Sequence, residues 1–273
     1  DEVLLFEPYY SYHESTIVAT QGVPVFVPTH APDWSFSMDD LEKAVTSRTR
    51  AIIVNTPSNP SGKVWSREEM ESIAAFSARY DLFVFTDEIY EHFIFDEGEH
   101  VSAATLPDMW ERTITISGLS KTFSITGWRI GYAICDEKWA KAIGNFSDLV
   151  YVCAPTPLQM GAAAGIVELD DAFFKNLSDK YRKKREILCS GLSDAGLTPC
   201  VPQGAYYVLA DVSSLPGEDS KERAIYLLEK TGVASVPGQE FFKGDAGDSI
   251  VRFCFAKEDD VLEDACNRLQ TLK

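Results

Sequence analysis

The sequence has no long apolar run, no closely spaced cysteine pair, no histidine cluster and no surplus of basic residues. Each absence narrows what the chain does. No stretch is apolar for long enough to cross a bilayer and no segment reads as a secretory signal, so a cytoplasmic protein is expected. Against 42 acidic residues stand only 25 basic ones, a net charge of −17. A surface of that sign repels nucleic acid and anionic membrane, which excludes both as expected partners. The six cysteines form no Cys-x-x-Cys pair and read as buried free thiols in a reducing compartment. His13, His30, His92 and His100 lack metal-ligand spacing and read as surface or loop residues, so no metal is expected. No internal repeat and no low-complexity segment interrupts the chain.

What is present is an alternation of apolar strands and amphipathic helices. Val3-Leu4-Leu5-Phe6, Pro24 to Val27, Arg50 to Asn55, Leu82 to Thr86 and Thr113 to Ile116 read as strands, and a further strand follows from Arg129 to Ile134. An apolar helix ends near Thr20. Ser37-x-x-Asp40 and Ser66-x-x-Glu69 open two helices with capping signals, the second carrying Met70, Ile73, Ala74 and Ser77 at helical spacing. Near-continuous apolar strands between such helices indicate an α/β fold with a mainly parallel sheet covered on both faces. From about residue 158 the pattern turns helical. A long helix runs from Asp171 to about Ala195, with Gly196 closing it, and its basic run Lys180, Arg182, Lys183, Lys184 and Arg185 reads as a solvated face. Beyond it an α+β segment is expected: strands Tyr206–Asp211, Val233–Val236 and Ile250–Phe255, a helix Ser220–Lys230 and a last helix from about Glu258. The boundary is placed within the long helix, giving a large domain of residues 1–185 and a small one of residues 186–273.

Ligands of parallel α/β sheets gather outside the carboxyl ends of the strands. Three expected strands end in polar groups: Asn55 and the turn to Gly62, then Asp87-Glu88-Ile89-Tyr90, then Ser117 followed by Lys121. Lys121 lies among small residues just past a buried strand, where desolvation lowers an amine's pKa and frees it for Schiff-base chemistry. Arg129 follows, flanked by Gly127 and Gly131, which are expected to let the backbone turn tightly. A fixed guanidinium near a reactive amine suits a ligand with an aldehyde at one end and a phosphate at the other. A P-loop does not fit, because Ser120 and Thr115 stand where that motif needs glycines.

The stretch Ser120 to Tyr132, Ser-Lys-Thr-Phe-x-x-Thr-Gly-Trp-Arg-x-Gly-Tyr, resembles the lysine motif of the class I/II aminotransferases, pyridoxal-phosphate enzymes of fold type I. The resemblance runs from Tyr9 to Arg252. It implies a pyridoxal 5′-phosphate cofactor held as a Schiff base by Lys121, which also carries the proton during transamination. Tyr10, with Tyr9 beside it, corresponds to the ring that stacks on the cofactor. Asp87 corresponds to the carboxylate at the ring nitrogen, Asn59 and Tyr90 to donors at the phenolic oxygen, and Arg129 and Ser120 to phosphate ligands. Asn55 corresponds to a polar residue on the substrate side, and Arg252 to the arginine that binds the substrate α-carboxylate, for which a planar fork is suited. Gly204-Ala205-Tyr206-Tyr207 matches a segment near the substrate. Arg252-Phe253-Cys254-Phe255-Ala256-Lys257 resembles members acting on aromatic, methionine or glutamine side chains.

The expected activity is transfer of an amino group between an amino acid and a 2-oxo acid by a homodimer. A C–S β-lyase on the same scaffold and a non-catalytic binding domain are the alternatives. Two departures qualify the resemblance. Gly118 stands where members often have serine. Members also carry a further N-terminal stretch with a phosphate loop and a tyrosine shared across the dimer, so this chain is expected to be N-terminally incomplete.

Overall fold

In the computed structural model, which describes residues 1–273, the apolar runs of the first half become one seven-stranded sheet. Its strands are β1 (Glu2–Glu7), β2 (Val23–His30), β3 (Ser35–Phe36), β4 (Thr49–Asn55), β5 (Phe83–Asp87), β6 (Thr113–Gly118) and β7 (Gly131–Ile134). Interleaved helices are α1 (Ser11–Ala19), α2 (Met38–Ala44) and α3 (Arg67–Arg79). The spatial order is β3-β2-β1-β4-β5-β6-β7, parallel from β2 to β6 and antiparallel only at the two edges. The crossovers reverse direction at β1, which leaves a crevice above the carboxyl ends of β1 and β4.

Helices α4 (Glu137–Val150), α5 (Thr156–Glu168) and α6 (Asp171–Asp194) follow. The chain then forms β8 (Thr198–Cys200), β9 (Tyr207–Asp211), α7 (Ser220–Thr231), β10 (Val236–Pro237), β11 (Ile250–Cys254) and α8 (Asp259–Leu269). The four late strands make an antiparallel sheet in the order β10-β11-β9-β8. The architecture is therefore α/β, with a mostly parallel sheet and a second, smaller α+β unit.

Burial explains why these segments become these elements. Leu4, Ile52, Val54 and Val84 of the parallel strands are fully buried against Met70, Ile73 and Phe76 of α3. Each such side chain contributes about 1.5–3 kcal/mol relative to exposure. At the start of α3, Ser66 Oγ accepts from Glu69 N while the Glu69 carboxylate accepts from Ser66 N, the capping box that the sequence signals. A cap of this kind stabilises a helix by about 1 kcal/mol. Gly196 ends α6 with φ +85°, a left-handed value that favours glycine.

Four expectations need correction. Lys184 and Arg185 are not on a solvated face: both are buried, Lys184 bonding Lys257 O and Asp259, and Arg185 forming a fork on Asp96 at 2.8 and 3.0 Å while also reaching Pro202 O. A charge run averages over a helix face, and here two of its members turn inward toward fixed acceptors. The strand expected from Val233 is only Val236–Pro237. Of the six free cysteines only Cys189 is buried, and Cys153 is exposed. The turn after Lys121 does not rest on its glycines. Its left-handed residues are Ser124 and Arg129, at φ 55° and 58°, while Gly127 has open space around it. Non-glycine residues adopt that conformation at a cost, so the surrounding fold imposes it on Arg129.

Candidate active site

Three neighbouring strands deliver three functional side chains to one crevice. Asn55 closes β4 and Asp87 closes β5, directly beside it in the ladder. Lys121 lies just beyond the end of β6, which pairs with β5. Tyr10 precedes α1 at the end of the loop from β1. From the second sheet come Tyr207 of β9 and Arg252 of β11. Together with Asn59, Tyr90, Ser120 and Arg129 these residues line one cavity of about 540 Å³. Tyr10, Asn55, Asn59, Asp87, Tyr90, Ser120, Lys121, Arg129 and Arg252 are thus brought to one place, whereas Tyr9 is buried with Leu5 and Ile17 and does not line the cavity.

The hydrogen bonds specify what each residue is free to do. Asn55 is largely committed: its amide donates to Asp87 O at 2.8 Å and its oxygen accepts from Asn59 N at 2.7 Å. It braces the strand ends while it lines the cavity. Asp87 Oδ2 lies 3.0 Å from His13 Nε2, and Oδ1 accepts from Ile89 N. Asn59 Oδ1 accepts from Arg252 Nη1 at 2.8 Å, joining the two walls. The Arg252 guanidinium packs over the rings of Tyr207 and Phe241 at 4.3 and 4.8 Å, and its buried Nε has no partner. A guanidinium fixed in this way is suited to pairing with an anionic group. Arg129 Nη1 donates to Thr126 O, and Thr126 Oγ1 donates to Ser120 O, which ties the turn together around the cavity.

Burial holds the Lys121 amine below the usual lysine range, and the Arg129 charge lowers it further. The free-base fraction needed for attack on a carbonyl is therefore raised at neutral pH. Burial also pushes the Tyr90 phenol well up, helped by the adjacent Tyr206 and Tyr207.

Gly118 is explained by its neighbours. A Cβ there would sit 2.9 Å from Ile130 O and 3.0 Å from Gly131 Cα, so a serine at this position would collide with the β7 entry.

Sequence reasoning missed two contributions to the site. His13 was placed at the surface, yet it braces Asp87. The signal was its position three residues past Tyr10, which on a helix puts both on one side. The rings of Tyr10 and His13 indeed meet edge to face at 5.5 Å. Tyr207, expected only within a matching segment, is a lining residue whose hydroxyl lies 3.2 Å from that of Tyr90. His100 is not a free loop residue either. It pairs with the buried Glu88 at 2.7 Å, and donor atoms of Glu88, Glu91 and His100 lie within 4.8 Å of one another, although their spacing in sequence suggested no cluster.

The donor set fits pyridoxal 5′-phosphate. An amine of lowered basicity, a carboxylate braced by an imidazole, a phenol, an amide and two guanidinium groups surround a cavity of the right order for a small cofactor with its substrate.

The comparisons with known proteins agree. The family model for aminotransferase class I and II matches residues 1–269. Kynurenine–oxoglutarate transaminase of Dictyostelium discoideum is 36% identical over all of this chain and 71% of its own length. Aspartate aminotransferase of Pyrococcus abyssi is 35% identical, over 99% of this chain and 69% of its own. The solved structure of N-succinyldiaminopimelate aminotransferase from Mycobacterium tuberculosis superposes with a TM-score of 0.95 at 36% identity, covering all of this chain and 72% of that one. In the rat kynurenine–oxoglutarate transaminase 3, 35% identical, the matched part is 64% of the relative's length, so the chain spans roughly two thirds of such relatives. Fold, motif and relatives converge, and the chain belongs to the class I and II aminotransferases, pyridoxal-phosphate-dependent transferases of fold type I that move an amino group between an amino acid and a 2-oxo acid.

Proposed function

We propose that the crevice works as the site of ping-pong transamination with the residue roles that the sequence suggests. The observation that carries this reading is the convergence of Lys121, Asp87, Arg129 and Arg252 on one cavity. When bound, pyridoxal phosphate supplies the electron sink that makes the substrate's α-hydrogen acidic. The Asp87 carboxylate would hold a proton at the ring nitrogen, and His13, 3.0 Å from it, would fix the carboxylate's orientation. Tyr90 and Asn59 would hold the phenolic oxygen, Arg129 and Ser120 the phosphate, and Tyr10 the ring. Arg252 takes the α-carboxylate of the amino acid in a bidentate pair, its guanidinium already stacked and bonded to Asn59. Lys121 Nζ, its basicity lowered by burial, would take up the proton from the substrate's α-carbon and hold it as an ammonium for return.

The finer substrate class follows from the walls. Tyr10, Tyr12 and Tyr207 give the cleft an aromatic lining, which supports an aromatic or other neutral side chain on the donor. The net charge of −17 supports small-molecule substrates over nucleic acid, and no helix is long and apolar enough to cross a membrane. A cytoplasmic homodimer is the proposed working form. Phe146 and Leu149 of α4 and Val167 of α5 are largely exposed, which supports an apolar interface on that side.

The test is direct: protein loaded with pyridoxal phosphate is given a panel of amino donors with 2-oxoglutarate, and formation of the new amino acid is followed. Release of pyruvate from a β-substituted donor without any acceptor would assign the chain to the β-lyases instead. A chain that leaves a borohydride-reducible cofactor unattached to Lys121 would point to a non-catalytic binding domain.

A further inference from the structure

Two buried phenols meet where the two sheets meet. Tyr90 follows β5 of the large sheet and Tyr207 opens β9 of the small one, and their hydroxyl oxygens lie 3.2 Å apart. Their rings are nearly perpendicular, at 86° and 5.9 Å between centroids. The Tyr207 ring also lies 4.3 Å beneath the Arg252 guanidinium on the neighbouring strand β11. All three side chains line the cavity. One residue therefore touches both the group that faces the cofactor's phenolic oxygen and the group that faces the substrate's carboxylate.

A phenol carries one proton and can accept as well as donate. Within the pair, the hydroxyl that donates to its partner has no proton left for a ligand. An anionic oxygen in the cleft beside Tyr90 decides between the two orientations. It draws the Tyr90 proton, and the Tyr207 proton then fills the lone pair that Tyr90 offers. Such a chain of donors polarises each member, so that the terminal donor becomes a stronger one. Both side chains are largely buried in the cavity wall, which limits their contact with water.

We propose that Tyr207 is a positioning residue with two separable parts: its hydroxyl aims the Tyr90 proton at the cofactor's phenolic oxygen, and its ring fixes Arg252 for the substrate's α-carboxylate. The hydroxyl part rests on the assignment of Tyr90 given above. The same side chain thus links the small sheet, which carries the carboxylate-binding arginine, to the electronic state of the cofactor on the large one.

The experiment uses protein loaded with pyridoxal phosphate and compares wild type with Tyr207→Phe, Tyr207→Leu and Tyr90→Phe. The first readout is the pH midpoint of the cofactor's visible absorption. A phenolic oxygen that loses donated hydrogen bonds carries negative charge less readily, so the protonated chromophore persists to higher pH. Tyr90→Phe raises the midpoint most and Tyr207→Phe raises it by a smaller, measurable amount. The second readout is KM for the amino donor. Tyr207→Phe keeps the ring and leaves KM within about twofold, whereas Tyr207→Leu loses the cation–π contact and raises KM about three- to tenfold. The phenylalanine variant is nearly isosteric, so the hydroxyl part stays testable if the leucine variant does not fold. A Tyr207→Phe midpoint equal to wild type, with Tyr90→Phe shifted, overturns the proposal and leaves the Tyr90 assignment standing. A Tyr90→Phe midpoint equal to wild type removes that assignment and the hydroxyl part with it. Equal KM in the phenylalanine and leucine variants overturns the role of the ring.

Discussion

The two walls of the cleft are built on different principles. Asn55, Asp87 and Lys121 stand at or just beyond the ends of adjacent strands of the large sheet, so the main-chain ladder itself sets their spacing. Arg252 and Tyr207 stand on an antiparallel sheet, and side-chain contacts hold them to the first wall: Arg252 to Asn59, and Tyr207 to Tyr90. A wall set by the ladder tolerates changes in its side chains without moving. A wall set by side chains shifts when one of them is removed. Substitutions on the first wall are therefore expected to remove chemistry, and substitutions on the second to remove affinity.

The largest effect is expected for Lys121→Ala. It removes the group that moves the proton, and turnover should fall by about a thousandfold or more. Borohydride treatment of the variant with pyridoxal phosphate should leave no label on the peptide around residue 121. A label retained on that peptide, or turnover near wild type, would break the contrast at its strongest point. Arg252→Ala comes next. Loss of a charge-assisted carboxylate pair costs about 2–5 kcal/mol, to be read as weaker binding of both amino and 2-oxo acids by titration, with cofactor affinity unchanged. Equal losses in cofactor and substrate affinity would show that the second wall supports the first.

His13→Gln sharpens the comparison within the first wall. The imidazole does not line the cavity and acts through Asp87, so loss of a hydrogen bond to a charged group should lower turnover by the equivalent of about 1.5–3 kcal/mol and leave KM for the amino acid unchanged. A change confined to KM would contradict that role. The smallest change is in Arg129→Gln, followed in unloaded protein. The amine of Lys121 is held low first by burial and then by the Arg129 charge. Removing that charge makes the protonated amine less unfavourable, so its pKa rises toward, but not to, the ordinary lysine value. Labelling of Lys121 by an amine-reactive reagent should then need a higher pH than in wild type. A labelling profile that moves to lower pH would contradict the stated cause.

The same contrast explains what could be read from the sequence. Strand ends announce themselves through apolar runs that stop at a polar residue, so Asn55, Asp87 and Lys121 were visible one by one, and the lysine motif joined them. The capping box at Ser66 was legible because its two partners lie three residues apart. His13 was not legible, since its partner Asp87 is distant in sequence and a lone histidine carries no periodic signal. Lys184 and Arg185 were misread for the same reason: what buries them is Asp259, Asp96 and the Pro202 carbonyl, none of which is local. The glycines around Arg129 suggested the turn, but its left-handed residues are Ser124 and Arg129. Local chemistry was readable wherever the partner was local, and tertiary partners had to be seen.

The buried fork of Arg185 has a mechanical consequence. One guanidinium grips Asp96, on the connection between β5 and β6 of the large sheet, and the carbonyl of Pro202, on the loop between β8 and β9 of the small one. Next to it, Lys184 is anchored at the start of α8. Helix α6 therefore joins segments of both sheets through two adjacent side chains. Moving Asp96 away from α6 would strand the buried Arg185 guanidinium, a cost moderated by solvent because the Asp96 side chain is 61% exposed. The same helix thus ties the large sheet, through Asp96, to the small one, through Pro202 and the start of α8.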